Sequence, residues 1–468
     1  MQRGWVLIAV ALAGCGETAR TATKPAATPV PVPVPVDEGE PIALDPQRPG
    51  DARRGWEALV TEGYVGCGVP RSLYDRFGGT APPASRLERS RGAELPYFLN
   101  TAVTPAGVEI VTANCLGCHA AWLRGTLVLG LGEQSADFTN ELPALPALVG
   151  LLLGSDARAE LAKLGARLAA VGPYARMTTV GANPADHIAA VLFAHRDPVT
   201  LAWSDEPRIP LPLPEERPIP VDVPAWWLMK KKTAMFHNGA GRGDHARIMM
   251  TASVLCVDDV ETARRVDAYF PDIRAYILSI EAPPYPGPID RVLAARGAPV
   301  FEATCAKCHG TYGPGGRYAS RVVPLARIGT DPMLARSAGQ FAAAFTGWFN
   351  RSFYGERARL EPGAGYVPPP LDGVWATAPY LHNGSVPNLA ALLDSSRRLP
   401  RTYLDRRGDA YDLAAVGWPN TAAADRPGTP PEWIYDASLP GHANTGHAFG
   451  DRLSAGERAA VIEYLKTL

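Results

Sequence analysis

The chain has 468 residues, of which 46% are apolar, so it is long enough for two or three domains with substantial cores. Its 46 basic and 47 acidic side chains give a formal charge of -1. That balance argues against nucleic acid as the main partner, because nucleic-acid-binding proteins carry a basic surface. The apolar periodicity is short and helical, which excludes a coiled coil and argues against an all-β barrel.

The start of the chain predicts export. Arg3 precedes an apolar run at residues 5–13, which is the pattern of a secretory signal and is too short to span a bilayer. The sequence Leu-Ala-Gly-Cys that ends at Cys15 resembles the bacterial lipobox, in which the cysteine is lipidated. The resemblance implies a lipoprotein signal at 1–15 and a lipid anchor on Cys15. Because Gly16 rather than Asp follows, it also implies a periplasmic protein on the outer membrane.

Residues 16–50 form a predicted tether, because prolines alternate with valines there and proline keeps the backbone extended. Beyond the tether we expect a mainly α protein, and a proline-rich run at 282–288 marks a boundary between domains at 51–285 and 286–468. The predicted helices of the first domain lie at 51–63, 156–171 with Ser155 as cap, 184–195 and 257–280.

Each of these domains contains one CxxCH motif, at residues 115–119 and 305–309. Two thiols on one helical turn add to the vinyl groups of a haem, and the adjacent histidine becomes the axial ligand. A four-cysteine zinc site is disfavoured because a histidine follows each pair, and a thioredoxin-like site lacks its βαβ setting. We predict two covalent haems c, attached at Cys115, Cys118, Cys305 and Cys308, with His119 and His309 as iron ligands.

The second domain also has the helix pairing of a small cytochrome. A helix is predicted from Asp290 into the second motif, and residues 454–457 form a capping box that opens a last helix over 455–468. In class I cytochromes c the first and last helices cross through a glycine and an aromatic residue. Gly297 and Tyr464 resemble that crossing.

Two cysteines remain, Cys67 and Cys256. A disulfide between them is natural in an oxidising compartment, but the sequence does not reveal the separation of their Cα atoms. A disulfide and two separate thiols both stay open.

Two haem motifs about 190 residues apart in one exported chain resemble the bacterial dihaem cytochrome c peroxidase superfamily, which includes the dihaem rubber oxygenases. The most telling match is the segment 377–385, which resembles the Thr-x-Pro-Tyr-x-His-Asp-Gly-Ser loop of those proteins. The resemblance covers about residues 90–468, and Trp226-Trp227 and Gly446-His447 look closer to the rubber-oxygenase branch. It implies two cytochrome c-like helical haem domains with long irregular loops.

The resemblance implies further site residues. A Ca²⁺ between the domains would be held partly by the backbone carbonyls of Thr377 and Pro379, which suit a hard cation. Trp226 or Trp227 would carry electrons between the haems, and the alternative for each is ordinary core packing.

The sixth ligand of the second haem has four candidates. The peroxidases use a methionine after the 377–385 loop, and this chain has none after Met333. The candidates are therefore Met333, His382, His442 and His447. The resemblance places His382 near a haem propionate and favours His447, which matches the distal histidine of the rubber oxygenases. Two histidines would hold that haem low-spin and suit it to relaying electrons.

The first haem has a larger set of candidate sixth ligands. The resemblance favours an open or weakly occupied position, with Phe236 in its wall. The candidates are His187, His195, Met235, His237 and His245.

These expectations describe a dihaem oxidoreductase. The second haem would take electrons from a small periplasmic donor, and the first would react with H₂O₂ or O₂. One alternative is a pure electron-transfer cytochrome with both irons six-coordinate. Another is O₂-dependent cleavage of an apolar alkene, which requires an apolar channel to the first haem. The membrane would be contacted through the lipid anchor only.

Overall fold

The structure is a computed structural model that describes residues 39, 41–141, 153–211, 218–336, 340–404, 406 and 410–468. Cys15, the signal segment and most of the predicted tether lie outside these ranges. Helices hold far more of the described residues than strands do, in agreement with a mainly α chain. Within the described ranges, no helix is long and apolar enough to cross a bilayer.

The α-helices are distributed along the whole described chain. Those before residue 286 are Ala52–Thr61, Arg71–Phe77, Leu116–His119, Ser155–Val171, Ala185–Ala194, His245–Met249, Val260–Asp267 and Phe270–Ser279. Those after it are Arg291–Thr304, Ala306–His309, Leu325–Ile328, Gln340–Arg351, Leu389–Leu392 and Ala455–Leu465.

The strands are short and pair antiparallel. One three-stranded sheet has Glu109–Ala113 at its centre, and another has Arg401–Tyr403 at its centre. A hairpin of Ala120–Leu123 with Thr126–Leu129 follows the first CxxCH motif directly. The remaining strands are Val69–Pro70, Leu99–Val103, Gly241–Gly243, Val323–Pro324, Ala358–Leu360, Gly365–Tyr366, Thr421–Ala422 and Ile434–Asp436.

The expected single helix over 257–280 is two helices, Val260–Asp267 and Phe270–Ser279. Pro271 stands in the first turn of the second helix. Proline has no N–H to donate to the preceding turn, so it starts a helix well and interrupts a longer one. The expected cap of the helix at 156–171 also differs, because that helix begins at Ser155 itself and Gly154 is the N-cap.

Two large hydrophobic cores lie side by side. The first gathers residues from the first half, such as Leu59, Val191 and Phe270, together with the segment 348–360 from the second half. The second core is built mainly from residues 374–465 and also takes Ala121 and Leu123 from the first half. Each core therefore contains residues from both halves of the chain. This mixing brings the surroundings of the two CxxCH motifs together.

The crossing of the helices Arg291–Thr304 and Ala455–Leu465 positions the second motif. A Cβ added at Gly297 would lie 2.0 Å from the carbonyl oxygen of Ala460, so the backbones approach closely there. The aromatic contact is made one turn later, between Phe301 and Tyr464 at 5.1 Å. Gly297 thus meets Ala460 rather than Tyr464, because only a residue without a side chain admits the neighbouring backbone.

The structure pairs Cys67 with Cys256 in a disulfide, with Cα atoms 5.5 Å apart and a sequence separation of 189. Both residues are buried beside Leu164. The bond links the segment before the strand Val69–Pro70 to the segment before the helix Val260–Asp267.

We expect the double variant Cys67→Ala/Cys256→Ala to lose about 2–4 kcal/mol of folding free energy, since a cross-link over a long loop restricts the unfolded chain. Denaturant unfolding of both proteins, with and without a thiol reductant, measures the difference. Reductant should destabilise the wild type and leave the variant unchanged. Equal unfolding midpoints under all four conditions would contradict the bond.

Candidate haem-binding sites

The second CxxCH motif lies at the end of the helix Arg291–Thr304. The amides of Cys308 and His309 donate to the carbonyl of Cys305 at 3.1 and 3.0 Å, which places both thiols and the imidazole on one turn. Neither thiol is in a disulfide, and burial raises the pKa of Cys305 to about 11. All three residues line one large cavity, which is called the second cavity because it adjoins the second motif. The thiols and the histidine are thus arranged as thioether attachment of a haem requires.

The orientation of His309 leaves one ring nitrogen for a metal. Its Nδ1 lies 2.8 Å from the carbonyl oxygen of Pro369, so the Nδ1–H donates and the lone pair of Nε2 is available. Burial lowers the pKa of His309, which favours the neutral form that a metal ligand needs.

His447 faces His309 across the same cavity. The ring centroids are 6.0 Å apart, and the ring planes are inclined by 66°. Histidine nitrogens bind metal ions at about 2 Å, so one ion fits between rings at this separation. Burial, followed by the neighbouring His309 and Arg398, lowers the pKa of His447 to about 3. The pair therefore fits an iron with two neutral imidazole ligands.

The other candidates for this position have different surroundings. His442 has Nε2 at 2.7 Å from the hydroxyl of Thr178 and Nδ1 at 2.8 Å from the carbonyl of Pro440. Met333 is 39% exposed and does not line the cavity. His382 does line it, but its ring stacks on Tyr366 at 4.0 Å.

The first CxxCH motif fits a haem by the same local geometry. The amide of His119 donates to the carbonyl of Cys115 at 3.0 Å, and Cys115 and Cys118 are not in disulfides. The hydroxyl of Tyr64 accepts the amide of Cys115 at 2.9 Å, and the Asn183 amide lies 3.7 Å from the sulfur of Cys118. Burial raises the pKa of Cys115 to about 11.

The surroundings of His119 differ from those of His309. Its ring stacks on Trp226, with centroids 4.8 Å apart and an interplanar angle of 22°. Burial lowers the pKa of His119 to about 4, against a smaller opposite effect of the Pro224 carbonyl. Of the described ring contacts, none joins His119 to a second histidine.

The candidate ligands of the first haem are spread over several places. His187 stacks on Tyr174, while His195 stacks on Trp203 and bonds the Ser204 carbonyl through Nδ1. The remaining three differ in the site that they adjoin. His237 lines the second cavity, His245 is buried, and Met235 packs against the first core.

Phe236 also packs against the first core and has a left-handed backbone with φ of 67°. The turn points Phe236 into that core and places the next residue, His237, at the wall of the second cavity. Phe236 is therefore placed among the apolar residues of the first core.

The two adjacent tryptophans belong to different cores. They open the 3₁₀ turn Trp226–Lys230, in which Trp226 packs in the first core and Trp227 in the second. The indole N–H of Trp227 donates to the carbonyl of Asp372 at 2.8 Å. Asp372 lies three residues beyond Pro369, the partner of His309.

Thr377 and Pro379 line the second cavity, as does the carboxylate residue Asp222. Within the described ranges, no cluster of three or more histidine, cysteine, aspartate or glutamate side chains is arranged around a metal position.

Three residues of the haem surroundings escaped sequence reasoning: Tyr64, Asn183 and Pro369. They lie 51, 65 and 60 residues from the motif residues that they contact. No local pattern marks them, because each contributes through the position to which folding brings it.

Comparison with known proteins supports a c-type cytochrome. Residues 365–403 match a family described as RoxA-like, cytochrome c-like. This segment contains the 377–385 loop and the Pro369 carbonyl that binds His309. The match indicates covalently bound haem c and a coarse relationship to the RoxA-like cytochromes.

Two curated relatives are uncharacterized proteins of Sinorhizobium fredii (strain NBRC 101917 / NGR234). The chain is 36% identical to protein y4iM over 191 residues, which cover 35% of this chain and 42% of the relative. It is 30% identical to protein y4iJ over 244 residues, which cover 39% of this chain and 40% of the relative. The chain thus spans less than half the length of these relatives.

The purified protein should contain two haems c per chain by the pyridine haemochrome assay, because both motifs have the attachment geometry. Cys305→Ala/Cys308→Ala should remove one, and so should Cys115→Ala/Cys118→Ala. Haem that is extracted by acidic acetone, or a count of one in the wild type, would contradict the assignment.

His447→Ala should convert one of the two haems to a high-spin or water-ligated form, since the ring facing His309 is lost. The visible and electron paramagnetic resonance spectra of the oxidised protein report this change. His442→Ala is the matched control and should keep the low-spin signal, because both its ring nitrogens already bond oxygens. The opposite pattern would show that the ligand is misassigned.

Proposed function

We propose that this protein is an exported, lipid-anchored dihaem c-type oxidoreductase. In this proposal the second haem relays electrons from a small periplasmic donor, and the first haem reacts with H₂O₂ or O₂. A haem iron with an open coordination position binds small oxidants, whereas a six-coordinate iron mainly exchanges electrons.

The difference between the two motif histidines carries the proposal. His309 faces a second imidazole at 6.0 Å, whereas the described ring contact of His119 is a tryptophan at 4.8 Å. The imidazoles of the first pair would both be available to hold one iron. At the first motif His119 would supply one imidazole, and we propose that the opposite side stays open to a small oxidant.

A short route through the chain connects the two histidines. The ring of His119 stacks on Trp226, and the peptide bond leads to Trp227, whose indole N–H bonds the Asp372 carbonyl. Three residues earlier, the carbonyl of Pro369 accepts the Nδ1–H of His309. Besides the backbone at 226–227 and 369–372, the route consists of one ring stack and two hydrogen bonds of 2.8 Å. We propose that electrons pass along it between the sites.

Two further parts of the proposal concern the surroundings of the sites. Phe236 and Met235 would form an apolar wall near the first haem that limits the access of water. A Ca²⁺ would bind at the carbonyls of Thr377 and Pro379, two residues that line the same cavity as Asp222.

A second candidate function is O₂-dependent cleavage of an apolar alkene. It is favoured by the match of residues 365–403 to the RoxA-like cytochromes. Both candidates require an open first iron, so they differ in the substrate and not in the ligation.

The oxidised wild type should show a high-spin signal from one haem and a low-spin signal from the other. After reduction it should bind one CO per chain, and Cys115→Ala/Cys118→Ala should abolish this binding. Two low-spin signals with no CO uptake would reject both enzymatic functions and leave a pure electron-transfer cytochrome. Consumption of H₂O₂ with a reduced donor would indicate the first function. Uptake of O₂ with polyisoprene would indicate alkene cleavage.

Replacing Trp226 or Trp227 by Leu should leave both haem spectra nearly intact and sharply slow turnover that draws on both haems. Trp→Phe should lose most of the rate as well, because phenylalanine is much harder to oxidise than tryptophan. Stopped-flow reduction of the two haems measures transfer between them directly. Trp56→Phe is the control, since its described ring partner is Tyr276 and not a histidine. If the variants unfold at a lower temperature but transfer electrons normally, the two tryptophans serve only in packing.

A further inference from the structure

Arg398 directs all its recorded hydrogen bonds to backbone carbonyls. Nε donates to Ala391 at 3.1 Å and Nη2 to Leu392 at 3.0 Å, both at the end of the helix Leu389–Leu392. Nη1 donates to Asn444 at 2.8 Å and to Gly446 at 2.6 Å, and Nη2 also reaches the carbonyl of His447 at 3.3 Å. The planar guanidinium therefore joins a short helix to the segment that ends at His447.

Both ends of this bridge adjoin the second cavity. Leu392 and Leu393 line it, and so does His447. A change in the bridge would therefore move the ring of His447 relative to the cavity wall. No carboxylate is among the five hydrogen-bond partners, so the arginine acts through geometry and through its positive charge.

The backbone that Arg398 holds is unfavourable without support. Gly446 and His447 both have left-handed conformations, with φ of 73° and 46°. A residue with a side chain rarely adopts this region, and such residues persist where the surroundings impose them. Gly446 is also pressed against Gly329, because a Cβ added there would lie 2.1 Å from the Gly329 carbonyl carbon.

The Nδ1 of His447 lacks the kind of partner that orients His309. This nitrogen is buried and has no partner in the described parts of the chain, whereas the Nδ1 of His309 bonds the Pro369 carbonyl. Metal-binding histidines are ordinarily oriented by such a bond at the second nitrogen. At His447 the backbone conformation and the edge contact with Phe449 at 5.3 Å orient the ring instead.

We propose that Arg398 is the positioning residue for the sixth ligand of the second haem. The guanidinium of Arg398 holds the carbonyls of Gly446 and His447. This contact keeps the imidazole of His447 opposite His309. The proposal rests on the proposed function, because it assumes a haem between these two histidines.

The test compares Arg398→Lys and Arg398→Gln with the wild type as haem-loaded proteins. Lysine keeps the charge but cannot serve carbonyls on both sides as a planar fork, and glutamine removes the charge as well. We expect both to lose part or all of the low-spin signal of the second haem and to bind additional CO after reduction. Added imidazole should restore the low-spin signal. With imidazole added to equalise the ligation, the midpoint potential of the second haem should be lower in Arg398→Gln than in Arg398→Lys, because a nearby cation favours the reduced iron.

Arg401→Lys is the matched control. Arg401 lies three residues away on the strand Arg401–Tyr403, its side chain is 60% exposed, and it pairs with Asp436 at 3.1 Å. This variant should match the wild type in spectrum, CO uptake and potential.

Unchanged low-spin signals and CO uptake in both Arg398 variants, at two haems per chain, would overturn the proposal. Failure of both variants to fold while Arg401→Lys folds would also overturn it, since Arg398 would then serve the fold as a whole. His447→Ala separates these outcomes from a failure of the proposed function. If it leaves the second haem low-spin, the ligand assignment itself is wrong.

Discussion

The second site depends on the separation of two imidazoles that come from distant parts of the chain. An ion bound by both would need one nitrogen of each ring at about 2 Å, and the 6.0 Å between the ring centroids leaves room for one ion. His309 is placed by a helix that ends at its motif. His447 is placed by a loop just before the last helix. The close crossing at Gly297 and Ala460 holds together the two helices beside which these rings lie.

Burial determines the chemistry of these rings. The pKa of His119 falls to about 4 and that of His447 to about 3 because each is removed from water. A neutral imidazole can give its lone pair to a metal, whereas a protonated one cannot. The same buried environment restricts solvent around a bound haem, which tunes its reduction potential.

The connection between the sites is built from neighbouring residues of the chain. Trp226 and Trp227 are adjacent, yet they pack in different cores because successive side chains of the turn point in different directions. One peptide bond therefore spans the boundary between the halves. Electron exchange between the haems would need no mobile part, since the stack and the hydrogen bonds along it are made within the folded chain.

The sequence alone predicted the covalent attachment of haem and the mainly helical character. CxxCH and the capping box at 454–457 are local, so their spacing carries the information about Cys305, Cys308, His309 and the last helix. The tertiary structure decided what lies opposite each motif. His442 and His447 are alike in sequence context, but one bonds Thr178 and the other faces His309. Arg398 and Pro369 carry no local signal, because their roles arise from backbone carbonyls and ring nitrogens that meet only when the chain has folded.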